Sequence, residues 1–593
     1  MRLLLCLFFI LAFWGVHAQS LRVAQSYYEQ GQFEEAVVSY ESLLKKNKAN
    51  SQVVLGLAKS YRQLDRNQQA IDVLASSYAK NTSRLEYLVE LAVTYQKVEN
   101  EPKKQEVLDT FFTELELTPA QGSFYARDFK EYNFLKEAIK CYQISMKQSF
   151  MFDYSYEIAL MQGELGNYGG MFSSYVDYML AKPNYIPRIK RKLDEFITED
   201  PESETNQIFK RTLLKKNQLE PDTFYNELLS WLFVQQKQFR KAFLQEKAVY
   251  SKTGDGMLQM VDLAITAQEH KDYETTEEIL LFVIEKASLD SYTINAEAQL
   301  QKMYQETYEV SKYSQIKKNY EKLFDTYGIS SKTLNLILDY GKFVGFNMDQ
   351  KPEAKKFLKP ILKKDLNKID KAKIEILIAD ILVLEDRFNE ALIYYSKAQK
   401  KVKNHPLSQE ASFKIAKASY YKGDFDWAKT QLNVLKASTT QLVANDAMDL
   451  FLLIEDNTQE DSTFVALKKF AKAELYTFQE QPEKAISLYE EIKTDFKGNQ
   501  IEDDALFKQA QLFIAKGELD QARLNYKKIL QFFPESLLID DAHYHLGVLY
   551  QDINEIEKAK EQFQKIIFNH ANSIHYVEAR KRFRRLRGDD LGE

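Results

Sequence analysis

Chain breakers are scarce in this sequence. It has 19 glycines and 11 prolines in 593 residues, roughly 5% where an average protein has about 12%. That excludes frequent interruption and leaves long helices joined by short turns. Cysteine is nearly absent, at two residues. The formal charge is only −6, which excludes the broad basic footprint of a nucleic-acid-binding protein. Catalytic signatures are missing too: there is no H-E-x-x-H, G-x-S-x-G, phosphate loop or G-x-G-x-x-G. Gly169-Gly170 and Gly254-Asp255-Gly256 follow no visible strand. Aromatic residues, by contrast, are plentiful, with 36 tyrosines and 38 phenylalanines. Such a chain has enough apolar surface to fold rather than stay disordered.

The N-terminus reads as a secretion signal over 1–18. Arg2 supplies the positive charge, Leu3 to Trp14 is a short apolar run, and Val16-His17-Ala18 fits a small-residue cleavage site. The mature chain is then expected to begin at Gln19, with a formal charge of −7 once Arg2 is lost. No later stretch is long and apolar enough to span a membrane. Cys6 leaves with the signal. Cys141, the remaining cysteine, can form no internal disulfide, and its apolar setting reads as core.

What is present is a ladder. Ala24, Ala58, Ala92 and Ala126 stand 34 residues apart, and three residues after each come Tyr27, Tyr61, Tyr95 and Phe129. A second ladder runs Ala36, Ala70, Lys104, Ala138, with Tyr40, Leu74, Leu108 and Tyr142 four residues later. A fixed period near 34 marks one helix–turn–helix unit copied and stacked. Small residues let two helices approach, and large ones fill the space beside the crossing. Gly31 falls where the turn needs an unhindered residue. The stretch "AQSYYEQGQFEEAVVSYESLL", through Ala24, Tyr27, Gly31, Phe33, Ala36 and Tyr40, resembles the tetratricopeptide repeat family. That resemblance implies an all-α fold, a right-handed superhelical solenoid of about 14–15 antiparallel helix pairs.

The ladder changes along the chain. A fifth unit slips by one residue (Ala159, Tyr168, Met171, Tyr175) and ends at Pro183. Residues 184–370 keep the period loosely, with Phe239 and Tyr273 34 apart. From 371 the step is 37: Ala391 to Ala428, then Ala485, Ala522 and Ala559. The 57-residue gap from Ala428 to Ala485 leaves room for an extra helix over Asn445 to Ile454. Asp386, Gly423, Glu480, Gly517 and Asn554 sit at the turns, five residues before each alanine. This divides the mature chain into an array over 19–183, degenerate repeats over 184–370, a second array over 371–579 and a basic tail over 580–593. Pro352 and Pro360 suggest a bend or boundary near 350–375.

The last repeats carry a narrower resemblance, through Phe533, Pro534, Ser536, Ala542, Leu546, Gly547, Tyr550, Ala559 and Phe563. It is to envelope repeat proteins, the outer-membrane-protein assembly lipoproteins of BamD type and the periplasmic cell-division coordinators. It covers roughly 500–586. The final turn, Asn569 to Ser573, lacks the proline of that pattern, and the lipid-anchoring cysteine is absent.

The family resemblance also implies an inner groove lined by first-helix residues. Carried over, these are Arg22, Gln25 and Tyr28; Lys59 and Arg62; Glu90 and Gln96; Phe124, Arg127 and Lys130; and Phe507, Lys508, Gln511, Tyr544, His545 and Gln551. A mixed aromatic and cationic groove suits an extended peptide or a partner helix. Arg580, Lys581, Arg582, Arg584, Arg585 and Arg587 crowd one helix whose apolar edge is Phe583 and Leu586. That helix reads as a cap on the last repeat, or as a dock for an acidic partner or anionic lipid. His543 and His545 are two apart on a helix and cannot easily share a metal. His545 with His570 or His575 is the one remaining combination, and packing is the preferred reading. No cofactor or metal is therefore expected.

The expected protein is a non-enzymatic exported scaffold that binds protein partners in the bacterial cell envelope, in outer-membrane protein assembly or secretion. Two alternatives stay open. One is an enzyme or cell-wall-binding protein with its site in 184–370. The other is a membrane-anchored or cytoplasmic repeat regulator.

Overall fold

A computed structural model describes residues 21–46, 50–148, 152–436, 441–458 and 463–588. The signal segment 1–18 and the tail beyond Gly588 lie outside them. The described residues are all-helical, and consecutive helices pack as antiparallel pairs. Among the described residues these pairs are exemplified by Ser51–Gln63 with Asn67–Lys80 and Ile539–Asp552 with Ile556–Asn569, and the order also holds an extra helix Gln441–Asp456 and a terminal helix Tyr576–Arg587. The chain forms two compact units, Met1–Gln236 and Lys237–Glu593. Among the described residues no helix is long and apolar enough to cross a membrane.

Both alanine ladders are contact points. Ala24, Ala58, Ala92, Ala126, Ala36, Ala70 and Ala138 have no exposed surface, and neither do Ala391, Ala428, Ala485, Ala522 and Ala559. Lys104, which breaks the second ladder, keeps its ammonium at the surface beside Glu101 and Gln96. Gly547 carries the same logic further. A Cβ there would stand 2.8 Å from the Phe563 ring of the paired helix, closer than packing allows.

The turns repeat more faithfully than the residues that fill them. Gly31, Asp65, Glu99 and Asn133, 34 apart, all take left-handed backbone, with φ of 75°, 57°, 55° and 60°. Asp386, Gly423, Glu480, Gly517 and Asn554 do so in the second array, with φ between 56° and 84°. Left-handed backbone costs a non-glycine residue roughly 1 kcal/mol, and helix packing on both sides holds it.

One core crosses the stretch near 350–375 where a bend or boundary is expected. Leu358, Ile361, Leu366 and Ala372 lie inside one core that runs from Ile294 to Leu475. The two prolines bracket a single helix. Pro352 occupies the first turn of Lys351–Ile361, where its missing N–H costs nothing, and Pro360 sits in the last turn. The compact division falls instead between Gln236 and Lys237. The loose section 184–370 is a run of continuous helices with local irregularities, such as the short helix Ile186–Leu193 and the π-turn Phe343–Asn347. Its buried polar side chains are spread along successive helices. Asn206, for one, ties the turn before its helix by donating to the carbonyls of Thr198 (2.8 Å) and Asp200 (2.6 Å).

Arg62 and Glu90 link two repeats of the N-terminal unit through a buried ion pair. Arg62 Nη2 lies 2.8 Å from Glu90 Oε2, Lys59 Nζ lies 3.2 Å from Oε1, and the Tyr132 hydroxyl donates to Oε1 at 2.6 Å. Burial, then the Glu90 charge, pushes the Tyr132 phenol up to about 12. Glu90→Gln leaves Arg62 buried without its counter-charge and is expected to cost about 3–5 kcal/mol. A drop in the thermal midpoint measures this. The double variant Arg62→Met, Glu90→Leu is expected to recover most of the loss.

Candidate protein-docking groove

In the C-terminal unit the helix pairs and the extra helix Gln441–Asp456 enclose a groove of about 890 Å³. Its apolar lining comes from Phe413, Leu450, Phe470, Phe507 and Phe533. Ile574, Leu537 and Phe532 also line it, and all three are largely exposed. A groove of this size, apolar with a few placed charges, is the usual form of a recognition site.

Its charge has one sign. Asp446, Asp449, Asp456 and Glu474 line it together with Asp503, Asp504, Glu535 and Asp541, against the cations Lys417 and Lys508. The repeat explains the placement of three of them. Asp446, Asp504 and Asp541 each directly precede a fully buried alanine, Ala447, Ala505 or Ala542, the last two aspartates in the first turn of their helices. The alanine faces the crossing, and the preceding aspartate therefore faces the groove. Acidic residues are also favoured in a first helical turn.

Crowding shifts these carboxyls. Burial, then the neighbouring Asp503 charge, holds the Asp504 carboxyl well above the ordinary aspartate range, with Lys508 pulling the other way. Burial, then Asp446 and Asp541, raises Asp449. Burial alone is the leading cause at Asp503, opposed by a hydrogen bond with Ser536.

The residues expected to line the groove are placed unevenly. Phe507 and Lys508 do line it, but Lys508 faces carboxylates, so this end is acidic and aromatic rather than cationic. Gln511 is exposed one turn further on. Tyr544 and His545 cluster beside Phe507 and Tyr526; the His545 ring lies 5.6 Å and 5.8 Å from those two rings. Burial lowers the His545 pKa. Gln551 accepts a hydrogen bond from Arg582 at 3.0 Å.

In the N-terminal unit Arg22 and Gln25 are exposed, and the half-buried Tyr28 ring meets Phe33 edge-on at 5.4 Å. Phe124, Arg127 and Lys130 are exposed on the helix Gly122–Glu131, with the Arg127 guanidinium 5.9 Å from the Phe124 ring centre. Arg62 requires a correction. It is buried and paired, so it is not offered to a partner.

The terminal helix behaves as a cap. Phe583 and Leu586 pack against the last core cluster, and Arg582 pairs with Glu578 at 3.0 Å. Arg580, Lys581 and Arg585 are exposed, Arg584 is half-buried, and Arg587 lies over the Phe583 ring. His543 makes a packing contact, its Nδ1 2.8 Å from Gln562 Oε1. Cys141 is fully buried. Reading the sequence by residue class passed over the groove aspartates, because carboxylates on amphipathic helices are usually solvated. The signal was positional: Asp503-Asp504-Ala505 recurs as Asp540-Asp541-Ala542, 37 residues on.

Comparison with known families finds matches in three stretches. Tetratricopeptide repeat models match residues 27–88, 504–536 and 540–567. The chain therefore carries tetratricopeptide repeats near both ends. Among solved structures it is similar to a chain of the "APC/C hetero-tetramer Cut9-Hcn1". Identity there is 13%, coverage is 95% of this chain and 96% of that one, and the TM-score is 0.24. It is also similar to a chain of "Naa15/Naa10 bound to HypK-THB", at 12% identity, 97% coverage of both and a TM-score of 0.27. No curated protein matches the sequence significantly.

The raised Asp504 pKa predicts a pH effect with a definite sign. Below the ordinary value of 3.8 both folded and unfolded chains hold the proton. Above it the unfolded chain ionises first, so the folded state loses stability as pH rises toward the folded pKa. Asp504→Asn is expected to raise the thermal midpoint at pH 7, with the gain fading below pH 4. Melting curves at several pH values check this.

Proposed function

We propose that this protein is a non-enzymatic scaffold and that its C-terminal groove binds a partner segment bearing lysine or arginine beside apolar side chains. The observation that carries this is the lining itself, eight carboxylates against two lysines with aromatic rings between them. A cationic segment finds counter-charges there, and its apolar side chains find Phe470, Phe507 and Phe533. Stacked helical repeats generally use extended surfaces of this kind for partners.

The proposal also sets the protein in the bacterial cell envelope, working in outer-membrane protein assembly or secretion. Support comes from the charged start, short apolar run and small-residue site over 1–18, and from the lone cysteine left after them. The resemblance of residues 500–586 to envelope repeat proteins points the same way. The alternative of an active or wall-binding site within 184–370 loses support from the continuous helices and dispersed buried polar groups of that stretch.

Two measurements test this. A synthetic lysine-bearing amphipathic peptide is expected to bind, its glutamate counterpart not to bind, and salt to weaken the complex. Reversing Asp449 and Asp446 to lysine should weaken it at least about 10-fold; equal binding by wild type and variant removes the groove from the reading. For the address, N-terminal sequencing of the native protein is expected to start at Gln19, and cross-linking in native membranes to recover envelope proteins. A retained Met1 or Arg2, or recovery of no envelope protein, ends the envelope assignment.

A further inference from the structure

We propose that Asp541, His545 and His575 form a binding site for a divalent transition-metal ion of the zinc class. Their ligand atoms all lie within 4.8 Å of one another. Asp541 and His545 stand four apart on the helix Ile539–Asp552 and so share one face. His575 comes from the next element, as the residue that opens the terminal helix Tyr576–Arg587. The site therefore joins the last repeat to its cap.

The three groups are held in different ways. The His575 ring stacks on Tyr544, with centroids 4.0 Å apart and planes at 5°, and its Nε2 lies 2.8 Å from Asp541 Oδ1. Its backbone N–H donates to Ser573 Oγ at 3.0 Å. The His545 ring is fixed by Phe507, Tyr526 and Tyr544. These contacts set the plane of the ring, which also meets the His575 ring at 6.0 Å and offers one nitrogen to the cluster. His545 thus presents a ring nitrogen beside an aspartate–histidine pair, within ligand distance of both.

The donor set selects the ion. Two imidazoles and one carboxylate suit zinc and its neighbours and not calcium or magnesium, which prefer all-oxygen shells. Zinc bonds of about 2.0–2.2 Å set tetrahedral ligands roughly 3.4 Å apart. The longest edge of the triad thus closes by no more than about 1.4 Å, within reach of side-chain rotation. Three protein ligands leave a fourth position open. Asp541 also lines the acidic groove, so that position is close to where a partner would dock.

Binding of zinc alone to the full chain tests this, by titration calorimetry and by the visible spectrum of the cobalt-substituted protein. The expected result is one ion per chain, a tetrahedral cobalt spectrum and a raised thermal midpoint. His545→Ala and His575→Ala should each lower affinity by at least about 10–100-fold, and Asp541→Asn should do likewise. His543→Gln and His570→Ala should leave it unchanged. Circular dichroism establishes that each variant folds. Zinc binding that survives His545→Ala and His575→Ala, or that is lost with Asp449→Asn and Asp504→Asn instead, overturns the site. So does the absence of binding to the folded wild type. None of these outcomes depends on the partner proposed for the groove.

Discussion

The contact between two helices at a residue with only a methyl group governs the rest of this structure. Twelve ladder alanines are closed off completely, from Ala24 to Ala559. Where the side chain is a methyl, the partner backbone comes close, and the large residue four positions on fills the space beside it. Tyr40, Leu74, Tyr395, Tyr489, Tyr526 and Phe563 are all buried in that role. Once the crossing is fixed, so is the rotation of each helix about its own axis. The residue just before the alanine then faces a direction set by packing, whatever its chemistry. In the first helices of the last repeats that residue is an aspartate, and the acidic groove is a by-product of the crossing.

Much of the fold was legible for this reason. Size patterns survive in sequence, and the helix pairs, the turn positions and the extra helix all follow from them. The turns show the limit of reading residue identity. Asp65, Glu99 and Lys271 take the same left-handed backbone as Gly31 without being glycine. The packing on either side imposes the conformation, so the residue need not announce it. The prolines misled in the opposite sense. Pro352 opens and Pro360 closes one helix inside a continuous core, because proline reports local backbone and not tertiary contact.

The candidate site was less legible. A carboxylate reads as solvated when taken alone, and only the stacking of successive repeats brings Asp541 to bear on Asp449, and Glu474 and Asp456 to bear on Asp504. Arg62 failed as a groove residue because its counter-charge, Glu90, lies one repeat away and at no fixed spacing a motif could record. His545 and His575 are thirty residues apart and meet through the cap helix. Each of these depends on how neighbouring repeats pack, and one chain position carries no trace of it.

The carboxyl of Asp504 gives the groove a property beyond its count of charges. Burial, then the Asp503 charge, holds it in the protonated form to higher pH than an isolated aspartate. An empty groove is therefore less negative than its composition. A cationic segment of the kind proposed would favour the ionised carboxyl. For the cationic segment proposed above, binding and proton release would be linked, so affinity would rise with pH only across the range in which this carboxyl titrates.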